Sequence, residues 1–424
     1  MSDHTHSVQT DVPNSVRIPW GITFEKWWIV RLDIERWNIR VTPFRAALIG
    51  FTLFAVAVMV YRFIMGLSSV SNLNDTWPWG LWKALAVFSG VALAGGGYGT
   101  AFLVHVLHIE RLQPLARSTM LASLLGYLLV LGGLILEIGR WFNFWTPFYS
   151  WGHLSPLFEI FICISAYTTV QALELCEVIT EKVFRKFHWI FVRAFPVLVI
   201  LGIMLPSMHQ SSLGALYMLA AGKLHPLWWS PYIFFFFLMS SLYVGPAMVA
   251  LGSVIADKSI GYKIPLDPMR YLAKIGGWMM VVYLGLKIVD LILQGNVGLL
   301  VNETFEGLTC LTALITGNLS AGTPVNFEAL AWIAEMVIGL VIPIAIVFSP
   351  LANYRCGLIT YGAFASFGVF FNRFNVVITG MWRDANKIYY PSFFEVVIAF
   401  GLVSAAILGY IYLCENFKIL QEED

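Results

Sequence analysis

Ten long apolar stretches dominate this chain, near 44–66, 79–105, 118–138, 155–178, 188–208, 232–253, 269–295, 324–349, 353–373 and 391–414. A helix needs about 20 mostly apolar residues to cross a bilayer, and inside the hydrocarbon each backbone N–H and C=O must find a partner within the protein. The expected fold is therefore an all-α polytopic membrane protein with about ten transmembrane helices. Segment 155–178 is the weakest of the ten because glutamates interrupt it. Composition agrees: 12% of the residues are charged, whereas a soluble domain carries roughly 25%. The formal net charge of +1 gives no reason to expect a nucleic acid partner.

Basic residues orient such a bundle, because Lys and Arg collect in cytoplasmic loops. With the N-terminus placed in the cytoplasm, sixteen fall in cytoplasmic segments and five in the opposite loops. An even number of spans returns the C-terminus to the same side. The expected organisation is a cytoplasmic N-terminal segment (1–43), a helical domain (44–414) and a cytoplasmic tail (415–424). Ser211–Gly222 is apolar but too short to cross, and reads as a short helix on the outer side. The polar N-terminus is not a signal peptide. The expected location is the cytoplasmic (inner) membrane of a bacterium or archaeon, with both termini inside.

Charges inside a membrane are costly and tend to face a bundle interior or a cavity. Toward the outer ends of the spans lie Arg62, Lys83, Glu137, Arg140, Glu159, His209, Gln210, Lys287, Asp290, Glu328, Asn372, Arg373 and Glu395. Nearly every helix contributes, which points to an outward-facing polar site. The plainer account is snorkelling side chains and structural ion pairs, and the i,i+3 spacing of Lys287 and Asp290 suits such a pair. Fewer charges mark the inner half: Glu174, Glu177, Glu181, Arg193, Lys274 and Glu335. They read either as an aqueous route for protons or as headgroup contacts.

Metal chemistry has little support. The five cysteines form no CxxC pair, so neither an iron–sulfur cluster nor structural zinc is expected in this chain. His105 and His108 end one span and His188 begins another at similar depth, the minimum for a bis-histidine haem, but no haem is expected. The glycines of "SGVALAGGGYG" follow no soluble strand, so close helix packing is the expected reading. An apolar slot with histidine, carboxylates and tryptophans near one membrane face suits a lipid-soluble quinone. The ring needs an aromatic slot, and its redox change moves two protons that His209, Glu137 or Glu159 could exchange. Gln210, Asn372 or Trp79 could fix a carbonyl. The alternatives are a b-type haem anchor and a secondary transporter, although no convincing internal repeat supports the latter.

The stretches "WPWGLW" (Trp77–Trp82), "GVALAGGGY" (Gly90–Tyr98), "LPSMHQSSLGALYML" (Leu205–Leu219), "KLHPLWWSP" (Lys223–Pro231) and "FNRFN" (Phe371–Asn375) resemble the NrfD/PsrC superfamily of quinone-interacting membrane subunits. They are most similar to its long HybB-, HmcC- and DsrP-like branch. The resemblance runs from about Arg36 to Cys414. It implies a haem-free subunit that exchanges electrons between menaquinone or ubiquinone and a periplasmic partner. That partner carries iron–sulfur clusters and links to a hydrogenase, a molybdopterin enzyme or a multihaem cytochrome c. It also directs attention to Trp79, Trp82, Glu137, Arg140, Glu159, His209 and Gln210. "MHQSS" is then expected as a polar lip on the outer edge of the cavity. His209 would exchange protons there, while Lys223 and His225 would face the partner.

Overall fold

The computed structural model describes residues 20–26, 29–34, 37–75, 77, 79–316, 326–382, 389–417 and 419–420. The start of the expected N-terminal segment (1–19) and the end of the tail (421–424) lie outside the described residues. The chain divides into two units, Met1–Ala47 and Leu48–Asp424.

In the first unit, β1 (Trp20–Lys26), β2 (Ile29–Ile34) and β3 (Trp37–Val41) form an antiparallel sheet in the order β1-β2-β3. Ile22 stands opposite Leu32, Leu32 stands opposite Ile39, and a bulge falls between Phe24 and Lys26. The strands add to what was expected of 1–43. Their signal was in the sequence: Trp20, Ile22 and Phe24 alternate with Gly21, Thr23 and Glu25, the period of a strand.

The second unit is helical: α1 (Pro43–Met65, whose first turn belongs to the first unit), α2 (Lys83–Val106), α3 (Gln113–Glu137), α4 (Pro156–Lys182), α5 (His188–Met218), α6 (Ile233–Ile255), α7 (Leu266–Leu293), α8 (Val297–Thr316), α9 (Glu328–Phe348), α10 (Arg355–Val377) and α11 (Phe393–Asn416). Among the described residues, nine are long and apolar enough to cross a membrane. The tenth expected span is α10. It is present as a helix of 23 residues, but Asn372, Arg373 and Asn375 near its end dilute its apolar character. Helix α8 was not expected, because Asn302, Glu303 and Glu306 interrupt its apolar pattern.

Helices α2 and α6 are the centre of the bundle. Their most apolar stretches are 72% and 67% buried, against 17% for α1 and 22% for α5, which therefore present most of their surface outward. The central pair meets at glycines: a Cβ on Gly245 would lie 2.7 Å from the Gly96 Cα. Small residues that let two backbones touch are what membrane helices use where no water drives them together. The glycines of "GGGY" thus serve packing.

The stretch Ser211–Gly222 is not a separate helix. Helix α5 runs unbroken from His188 to Met218 with Pro196 and Pro206 inside it. Proline removes one backbone donor, yet the helix continues, because the neighbouring turns and packed helices hold it. Ser207 and Ser212 donate back to the carbonyls of Ile203 (2.8 Å) and Met208 (3.0 Å), so they do not turn the chain out of the bundle.

Candidate functional site

Helix α2 begins at Lys83 and α3 ends at Glu137, and these two ends meet. Lys83 Nζ lies 3.8 Å from Glu137 Oε2, with the side chains 20% and 4% exposed. Neither oxygen of Glu137 accepts a well-formed hydrogen bond, although the Gly80 backbone N–H lies beside the carboxylate. Lys83 Nζ also stands 5.5 Å from the centre of the half-buried Trp79 ring. Trp79 opens an aromatic wall, with centroids 5.9 Å to Tyr217 and 6.4 Å to Phe88. Phe88 and Tyr217 are 5.4 Å apart, and Phe237 completes the group at 6.3 and 6.2 Å from them.

The segment before α2 is clamped from outside the wall. The Tyr389 hydroxyl accepts the Leu81 N–H at 3.1 Å and donates to Glu395 Oε1 at 2.6 Å. A Cβ on Gly80 would overlap that hydroxyl, which explains the glycine of "WPWGLW". Glu395 is itself held by a capping box at the start of α11. Burial, and then Glu395, push the Tyr389 hydroxyl well above its ordinary value, so it remains a donor.

Behind the wall is a second polar group. The Arg373 guanidinium stacks on Phe237 at 3.5 Å and donates to Asn372 Oδ1 (2.7 Å) and Ser240 Oγ (2.5 Å). Glu335 accepts from Asn372 Nδ2 (2.7 Å), Asn375 Nδ2 (2.9 Å) and Trp228 Nε1 (2.9 Å). Asn372, expected to bind a cofactor, is therefore committed to Glu335 and Arg373. Glu335 thus belongs to the polar group behind the wall. Lys287 sits 4.3 Å over the Phe236 ring, and Asp290 accepts from Ser230 at 2.8 Å; the two do not form the expected direct ion pair.

His209 and Gln210 are fully buried in α5, and no polar atom of either side chain has a well-formed partner. The expected polar lip is thus corrected: the helix carries on for nine more residues, which puts "MHQSS" inside the bundle. Tyr127 on α3 faces them. Its ring lies 6.2 Å from His209 and 4.4 Å from Tyr167, and its hydroxyl lies beside the Gln210 amide. Gln171 Nε2 joins Ser123 Oγ (2.6 Å) and the Tyr167 hydroxyl (2.9 Å). Gln171 also lines a cavity of about 570 Å³ with Glu174, Glu177, Glu110 and Arg117. Of the inner-half carboxylates, Glu174 and Glu177 share this cavity, and Glu181 pairs with Arg117 at 3.0 Å beside it.

The remaining expected residues disperse. Trp82 is buried with α1 and α11, and its indole N–H is used by the Glu395 carbonyl at 2.9 Å; it is not part of the wall. Glu159 is exposed and accepts from Ser212 at 2.6 Å. Arg140 is exposed and pairs with neither carboxylate; the cation beside Glu137 is Lys83. His225, expected to face the partner, is buried against Glu303 at 3.2 Å. Of the histidines weighed for haem, His105 packs on Phe195 at 5.5 Å and His188 Nδ1 meets Thr180 at 3.1 Å. Among the described residues no three His, Cys, Asp or Glu side chains stand together as a metal site.

Sequence reasoning missed Tyr217, Phe237, Tyr127 and Tyr389. The first two were hidden in apolar runs, where an aromatic residue reads as core. Tyr389 lies far along the chain from the segment it clamps.

The sequence matches known proteins. The family model described as polysulphide reductase, NrfD, matches residues 69–383. A protein of Nitratidesulfovibrio vulgaris is 28% identical over 379 residues, 87% of this chain and 92% of that one. A probable Ni/Fe-hydrogenase 2 b-type cytochrome subunit of Escherichia coli is 28% identical over 372 residues, 86% of this chain and 88% of that one. The integral membrane subunit of a menaquinone reductase, also from Nitratidesulfovibrio vulgaris, is 28% identical over 253 residues, 54% of this chain and 58% of that one. With its model spanning well over half of the sequence, from the entry to "WPWGLW" to the end of α10, this chain belongs to the NrfD polysulphide reductase family.

Proposed function

We propose that this chain is the quinone-reactive membrane subunit of a respiratory redox complex. It exchanges electrons and protons between a menaquinone or ubiquinone pool and a periplasmic partner carrying iron–sulfur clusters or multiple haems. The observation that carries the reading is the Lys83–Glu137 pair beside Trp79: a buried carboxylate whose oxygens lack well-formed hydrogen bonds, next to a flat aromatic face. Buried polar atoms are nearly always satisfied, and exceptions call for a functional account. The relatives support the choice of substrate and setting, since one is named as part of a menaquinone reductase and another as part of a hydrogenase.

The residues fit such a ligand. Half-buried Trp79 offers a face for the ring, backed by the buried Phe88 and Tyr217, and Lys83 and Glu137 offer a donor and an acceptor at its edge. A quinone held there supplies two-electron, two-proton redox chemistry. Glu137 takes first place for proton exchange at a ring oxygen, with Lys83 holding its charge. His209 is eight residues before Tyr217 on the same helix, about 12 Å deeper, and holds a proton further in, with Gln210 and Tyr127 around it. Phe237 and the Arg373 group brace the wall from behind. The excess of Lys and Arg in one set of loops supports cytoplasmic termini, with Glu137 in the periplasmic half.

The test is the purified complex, its bound lipids and its visible spectrum, followed by E137Q. Quinone should accompany the complex. E137Q should slow quinone-linked turnover roughly 10²-fold or more, while activity with a soluble dye at the partner persists. Undiminished turnover in E137Q would sink this account of the site. A b-type spectrum that tracks this chain would transfer support to the haem-anchor reading.

A further inference from the structure

Arg62, near the end of α1, is fully buried. Among the described residues no carboxylate lies within ion-pair distance of it. Its guanidinium is committed to backbone instead: Nε donates to the Leu136 carbonyl at 2.8 Å and Nη2 to the Ile138 carbonyl at 2.5 Å. These are the residues on either side of Glu137.

Glu137 is the last residue of α3, and Ile138 already has extended geometry (φ −68°, ψ 118°). Helix ends fray, and their last carbonyls have no partner within the helix. A group that must meet a substrate at a fixed place is poorly served by a fraying turn. The planar fork of arginine can hold two acceptors in a set orientation, which a lysine ammonium cannot. A cation is also favoured at a helix C-terminus, but that alone accounts for a cap and not for contacts bracketing one residue. Burying a guanidinium without an acid is costly, and a simple cap needs no such group.

We propose that Arg62 is a positioning residue for Glu137: it pins the carbonyls of the two residues that flank it, Leu136 and Ile138, and so keeps the carboxylate against Lys83 and Trp79. The proposal rests on the role given to Glu137 above.

The experiment is a double-mutant cycle of R62M and E137Q in the assembled complex, read as quinone-linked turnover across pH, with soluble-dye activity as the control for assembly. A misplaced reacting group costs on the order of tenfold to a hundredfold in rate. R62M should therefore slow the native complex by about that factor and alter its pH profile. In the E137Q background it should change turnover by less than about twofold, because residues that act as a unit are not additive. Equal slowing in both backgrounds would overturn the proposal and leave Arg62 a general structural cap. Native turnover in R62M with slow turnover in E137Q would overturn it while leaving the role of Glu137 intact. Native turnover in E137Q would remove the role of Glu137 itself, and this proposal with it. If R62M does not assemble, the cycle is run with R62K, which keeps the charge but not the fork; the same non-additivity is expected, and additive slowing overturns the proposal.

Discussion

Lys83 and Glu137 stand 3.8 Å apart at the joined ends of two helices, and each is fixed from a different part of the chain. The segment before Lys83 is tied by Tyr389 to Glu395, and the turn holding Glu137 is tied by Arg62. The pair is therefore a product of four distant stretches, α1, α2, α3 and the approach to α11. This arrangement makes its energetics testable apart from its chemistry.

Removing one partner of a buried ion pair leaves the other charge uncompensated. K83M is expected to destabilise the subunit by about 3 kcal/mol, the low end for a buried pair, because Lys83 is partly exposed. The double variant K83M/E137Q should recover most of that loss, since no unpaired charge remains. Thermal unfolding of the detergent-purified complex measures both. A double variant no more stable than K83M would show that the two side chains are not coupled.

His209 has no well-formed partner for either ring nitrogen although it is fully buried. H209Q keeps a polar side chain of similar reach but cannot carry a proton. The complex should assemble, and quinone-linked turnover should fall with an altered pH profile, by less than the roughly 10²-fold loss expected for E137Q at the reacting end. Full turnover with an unchanged pH profile would make His209 a packing residue and leave Glu137 alone at the reacting end.

Y389F removes the hydroxyl that accepts from Leu81 and donates to Glu395. Two buried polar groups lose a partner, and each unsatisfied group costs about 1–3 kcal/mol. Lower thermal stability and weaker quinone retention are expected together. Because the Tyr389 hydroxyl is pushed up by burial and by Glu395, the wild-type clamp keeps its proton across the neutral range. The stability difference between Y389F and wild type should therefore be flat from about pH 6 to 8. A steep change in that difference within this window would assign the effect to another group.

Sidedness has its own measurement. The excess of Lys and Arg in one set of loops predicts that a reporter fused after Gly222 lies in the periplasm and one at Lys258 in the cytoplasm. The opposite pattern would place Glu137 on the cytoplasmic side and exclude a periplasmic partner at this end.

The sequence by itself determined the class of fold and the place of Glu137 at the end of a helix. Runs of some 20 apolar residues admit one kind of backbone in a bilayer, so α1, α3, α5 and α11 were legible without any tertiary information. Glu137 was legible for the same reason, because a carboxylate at the end of such a run is conspicuous. Depth does not specify rotation about a helix axis, or which distant segment packs alongside. Only the tertiary structure decided that Lys83 and not Arg140 is the cation beside Glu137. It also decided that Asn372 is bound to Glu335 behind Phe237, that Trp82 turns toward α1 and α11, and that Glu159 is exposed. The continuity of α5 escaped the sequence too. Pro206 and the serines of "LPSMHQSS" look like a helix end when read locally, but Ser207 and Ser212 bond back to the preceding turn and packing against α4 and α6 extends the helix past them. That packing is what buries His209, because a helix end is set by what the neighbouring helices cover as well as by local propensity.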